Sequence, residues 1–77
     1  MSIEIIKNQL QEIITTHNDH KKHAAEGLLE NLNWFENNNN TKKFMFKTKI
    51  LKARQFYQNL PNSKDILNIC DDIIKFI

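Results

Sequence analysis

His17, His20 and His23 recur at three-residue spacing and form the one metal-like grouping in this 77-residue chain, with Asp19 as a possible fourth donor. Zinc wants three or four converging ligands and an ordered second shell. On a helix these side chains would fan across more than half the circumference, with Lys21 and Lys22 among them. The expected role is therefore a solvated polar connection, with no metal and no cofactor. Cys70 is the lone thiol, and it falls on an apolar stripe beside Ile66 and Ile73. A buried free cysteine behaves as a small hydrophobe with a raised pKa, and Asp71 and Asp72 further disfavour a thiolate. Those two acids point about 100° apart on a helix, so they make a solvated face rather than an acid–base dyad. One glycine excludes a phosphate-cradling loop, and no serine has a nucleophile elbow. No catalytic residue is expected.

The chemistry that remains is that of binding. Residues 41–60 carry Lys42, Lys43, Lys47, Lys49, Lys52 and Arg54 with no acid, a net +6. Residues 1–40 carry Glu4, Glu12, Asp19, Glu26, Glu30 and Glu36 against Lys7, Lys21 and Lys22, a net −3. Residues 61–77 carry Asp65, Asp71 and Asp72 against Lys64 and Lys75, a net −1. The basic segment has two readings. Its charges meet acids inside the fold, or they face an acidic protein, a nucleic acid or an anionic membrane. Phe44 and Leu51 sit two helical turns apart on one side, far from the face of Phe46, Ile50, Ala53, Tyr57 and Leu60, while Met45 and Phe56 lie on a third side. A helix apolar on several sides is central in its bundle or covered by a partner. On the second reading Phe44, Leu51 and Trp34 are the anchors, and Lys43, Lys47 and Arg54 line the flank. The occupant is then another protein or a second copy. Nucleic acid is the runner-up, and it lacks the compact glycine-bearing turn of a helix-turn-helix.

These residues must be positioned by helices. Apolar residues recur at three- and four-residue spacing almost throughout, interrupted by one glycine and one proline. Ser2 caps a first helix reaching Thr16, striped by Ile3, Ile6, Leu10 and Ile13. Asn18-Asp19 suits a turn, yet the Ile3–Ile14 and Ala24–Phe35 stripes keep nearly one direction. Two helices or one long helix over 2–36 both fit. Gly27, inside the second stretch, implies a close helix crossing, and Asn37 to Asn40 ends it in a solvated loop. A third helix spans Thr41 to Leu60 and stops at Pro61. Asn62 or Ser63 caps a last helix, with Asp65 in its first turn.

The fold expected is all-α, a small antiparallel bundle of three or four helices in one domain over residues 1–77, whole or cut from a longer protein. No apolar run approaches a membrane span and the N-terminus does not read as a signal peptide. With one cysteine, a reducing, cytoplasmic setting is expected.

The stretch from His17 to Ile74 resembles a short helical domain that recurs in type IV secretion effectors of intracellular bacteria. The residues that carry this are His20-Lys21-Lys22-His23, Trp34-Phe35, the run Lys49 to Leu60, and Asp65-Ile66-Leu67-Asn68-Ile69. The glycine that precedes the aromatic patch in that pattern is absent here, since Gly27 lies too far upstream. The resemblance implies an accessory interaction module, no catalytic residue, and work in a host cytoplasm.

Overall fold

The computed structural model describes residues 2–38 and 41–77. Four helices follow one another: α1 (Ile3–Thr16), α2 (His20–Asn37), α3 (Lys43–Tyr57) and α4 (Lys64–Phe76). They make an all-α, up-and-down bundle. Among the described residues there is no strand, and no helix is long and apolar enough to cross a membrane.

The turn between the first two helices is real, and the single long helix is not formed. The chain leaves α1 at His17 in an extended conformation, and Asp19 caps α2 by accepting from the Lys21 N–H at 3.0 Å. That cap offsets the lysines in the first turn, where the helix dipole disfavours positive charge. Lys21 gains further support from Asp65 on α4, at 3.2 Å. At the start of α1, the Ser2 hydroxyl accepts from the Ile5 N–H as expected.

The asparagine tract is part helix end and part connection. Asn37 closes α2, and Asn38 turns its side-chain amide back to donate to the Trp34 carbonyl at 2.8 Å. The expected solvated loop at Asn39 and Asn40 falls outside the described residues. Helix α3 is shorter at both ends than periodicity implied. Thr41 donates its N–H and hydroxyl to the Asn38 carbonyl, and Lys42 precedes the helix with no side-chain cap. At the other end Asn59 and Leu60 close three-residue turns onto Phe56 and Tyr57 before Pro61. Asn62 then adopts φ +55°, a left-handed conformation that asparagine tolerates better than most residues. Ser63 stands at the cap of α4, but its hydroxyl donates to the Leu60 carbonyl instead of accepting from the first turn. Asp65 accepts from the Ile66 N–H there.

The core is built from the expected stripes: Ile6, Leu10 and Ile13 of α1, Ala25, Leu28, Leu32 and Phe35 of α2, Phe46 and Ile50 of α3, and Ile66, Ile69, Cys70 and Ile73 of α4. Helices α2 and α4 each touch all three others, whereas α3 touches only α2 and α4. The alternative that made α3 central is therefore excluded. Antiparallel order follows from the cross-links. Lys7 near the start of α1 pairs with Glu36 near the end of α2, and Phe35 near the end of α2 stacks on Phe46 near the start of α3. The glycine reading also holds: a Cβ on Gly27 would meet the Tyr57 hydroxyl of α3 at 3.3 Å.

Candidate interaction surface

Helix α3 divides its residues by direction. Phe46 and Ile50 point inward and are fully buried, with the Phe46 ring stacked on Phe35 at 4.3 Å between centroids. Phe44, two residues earlier, points away and is 85% exposed. Leu51 falls on the same side two turns later and is 43% exposed. Met45 and Phe56, about a third of a turn round, are likewise open to solvent. A large apolar side chain left in water forgoes roughly 1.5–3 kcal/mol of burial, so four on one helix mark a surface with something to gain by contact.

The basic residues separate in the same way. Lys42, Lys43, Lys47 and Lys52 are exposed and, among the described residues, make no salt bridge. The expected neutralisation by residues 1–40 is not formed among the described residues: α1 does not touch α3, and on α2, which does, Glu36 meets Lys7 and Glu26 meets His23 instead. Arg54 is the exception, and its partner is Asp71 of α4. Its Nε donates to Oδ1 at 2.7 Å and its Nη2 to Oδ2 at 3.3 Å. The bond raises the Arg54 pKa and holds the Asp71 carboxyl below the usual carboxylate range. Asp71 is thus engaged rather than a bare solvated acid. Lys49 extends its ammonium over the Trp34 ring, 4.2 Å from the centroid.

Of the six residues singled out by sequence, the fold brings Phe44, Leu51, Lys43 and Lys47 onto one open helix. Trp34 sits half-buried on α2 against the core beneath Lys49, and Arg54 turns toward α4.

The histidines do not converge. His17 meets the Thr16 hydroxyl at 3.0 Å, the His20 Nε2 meets the Pro61 carbonyl oxygen at 2.7 Å, and His23 lies 3.4 Å from Glu26. Among the described residues no three His, Cys, Asp or Glu side chains could hold one metal ion. Cys70 is buried among apolar side chains, and burial pushes its thiol up to about 11, Asp71 adding to the effect against Arg54.

Two of the grooves among the described residues bear on these side chains. One, of about 470 Å³, lies between α2 and α3, floored by Ala24 and Ala53 and walled by His20, Phe56, Tyr57 and Leu60. The other, of about 380 Å³, lies between α1 and α4, with Ile13 and Ile69 at its base and Glu12, Asp65 and Asp72 around it. Gln9 lines this second groove, and its Oε1 is buried without a hydrogen-bond partner among the described residues. Sequence reasoning missed the second groove because its two walls come from opposite ends of the chain. The charge tally, with acids in both terminal segments, was the only available signal.

No family model, no curated protein and no solved structure matches this chain.

Proposed function

We propose that this chain is a non-enzymatic helical protein-interaction module that docks a protein on the outer face of α3. The observation that carries the reading is Phe44, an aromatic 85% exposed on a well-formed helix, with Leu51 beside it and lysines on either flank. Aromatic anchors ringed by polar residues are the usual source of binding energy at interfaces. The reading is further supported by the buried, weakly acidic thiol of Cys70 and the scattered histidines, which supply no reactive centre. The resemblance to accessory domains of secreted effectors supports the same role, in a host cytoplasm. A reducing cytoplasm also suits a free cysteine.

The runner-up is a small nucleic-acid-binding regulator, and the exposed lysines favour it. Phosphates gain nothing from Phe44 and Leu51, so the protein reading accounts for more of the surface. The test is photo-crosslinking in cells with benzoylphenylalanine placed at Phe44 and, as a control, at exposed Asn33. A protein adduct specific to position 44 and lost with Lys47→Glu is the expected result. Adducts no different from those at Asn33, or adducts to nucleic acid alone, would sink the reading.

A further inference from the structure

The acidic groove between α1 and α4 has the shape and charge to receive the surface just described. Its base is apolar, formed by Ile13 and Ile69, and its edges carry Glu12, Asp65 and Asp72. The Asp65 side chain stays 44% exposed even while paired with Lys21, so it remains open to a second cation. The outer side of α3 is the complement: Phe44 and Leu51 project from it, and Lys43, Lys47 and Lys52 stand beside them with no acid anywhere on the helix.

We propose that the occupant of this groove is α3 of a second copy of the chain, with Phe44 and Leu51 over the Ile13–Ile69 base and the lysines against Glu12, Asp65 and Asp72. The proposal rests on the reading of α3 as a docking face and adds the partner and its receiving site. An α3-to-α3 pairing is the poorer arrangement, because it sets lysines against lysines and leaves the acidic groove unused. The two surfaces share no residue, and α1 does not touch α3, so one molecule offers both at once. Such a contact joins head to tail: it grows as a chain or closes as a ring, the smallest ring being two copies that engage each other reciprocally. A stable contact covers roughly 800 Å² per partner. That is about one sixth of the 4936 Å² this small molecule exposes. One helix laid in one groove stays near or below that area, so the association is concentration-dependent, and salt weakens it.

The test is complementation between two surface variants, read as solution mass by light scattering over a concentration series. Phe44→Ser/Leu51→Ser removes the projecting side and keeps the groove. Glu12→Lys/Asp72→Lys removes the groove and keeps the projecting side. Wild type is expected to rise from its 9.2 kDa monomer to dimer mass or beyond as concentration increases. Each variant alone should stay monomeric, and the mixture should form a one-to-one heterodimer that grows no further. Melting curves confirm folding, and Glu12→Gln/Asp72→Asn replaces the charge-reversed variant if that one does not fold. A groove variant that still self-associates would establish an α3-to-α3 contact and overturn the proposal. So would a mixture that does not associate. A wild-type chain that is monomeric throughout would overturn it too, while leaving the crosslinking test of α3 with a different partner standing.

Discussion

The rings of Phe35 and Phe46 stack 10° from parallel with centroids 4.3 Å apart, and this pair fastens α3 to α2. Both are essentially shut off from water. Two residues away, Phe44 stands open to solvent. The same residue type at nearly adjacent positions should therefore behave in opposite ways. Phe46→Ala should cost about 3–5 kcal/mol, enough to unfold much of so small a domain. Phe44→Ala should stay within about 0.5 kcal/mol, as surface changes do. Urea melts of the two variants at a concentration where wild type is monomeric decide the matter; comparable losses would mean α3 is rotated from the orientation described.

Gly27 is held close to Tyr57 but not clamped. The approaching atom is the hydroxyl at the far end of a side chain, and it can retreat by a few tenths of an ångström. Replacing a helical glycine by alanine gains up to about 1 kcal/mol. Gly27→Ala should accordingly raise the melting temperature, whereas Gly27→Leu should lower it by prising α2 from α3. A loss with alanine would show that the crossing is tighter than the 3.3 Å contact implies.

The start of α3 is the weakest helix end. Lys42 offers no side-chain acceptor, and a second lysine, Lys43, opens the first turn. Lys42→Asp supplies both an acceptor for an unpaired N–H and a favourable charge, and should stabilise the chain by about 1 kcal/mol. Thermal melts of this variant against Lys42→Ala, which offers no acceptor, separate the two effects from simple loss of a lysine.

The Arg54–Asp71 pair sets a pH dependence with a defined sign. The folded-state pKa of Asp71 is depressed. Its contribution to stability is therefore complete above the ordinary aspartate range near 3.9 and fades as pH falls through the lower folded value. Wild type should lose stability over that acid range more steeply than Asp71→Asn, with the two converging at the lowest pH. Parallel curves would mean the pair is no stronger in the folded chain than in the unfolded one.

Cys70 behaves oppositely, because its pKa is raised to about 11. Stability it contributes is full below the unfolded thiol value and is lost as pH climbs toward 11. At pH 8 roughly one part in a thousand would be thiolate, so a thiol reagent should label Cys70 only as fast as the bundle opens. Labelling at the rate of a free thiol would place the side chain at the surface.

The fold was largely legible because its helices carry unambiguous apolar stripes and local stop signals. Asp19 and Asn38 act through hydrogen bonds within a few residues, and of the two readings open for residues 2–36 the turn is the one formed, whereas α3 ends at Tyr57, ahead of the expected stop at Pro61. What was not legible depends on which helix lies beside which. The stripes of α2 and α3 look equally rich, and only assembly shows that Phe44, Met45, Leu51 and Phe56 remain outside. The partners of Arg54, Lys21 and Lys7 were hidden for the same reason, since an ion pair leaves no periodic trace. The α1–α4 groove joins Ile13 to Ile69, a juxtaposition no local pattern encodes.

Each helix here packs chiefly on its neighbour in the chain, and the connections between helices are only a few residues long. Contacts so local close with little entropic penalty before they reward it, which places folding in the microsecond-to-millisecond range typical of small helical bundles. A chain that closes this quickly keeps its core-forming stripes in water only briefly. Of the large apolar side chains left exposed among the described residues, Ile5 and Phe76 stand on other helices, and the four on the outside of α3 are what a neighbouring molecule meets most often.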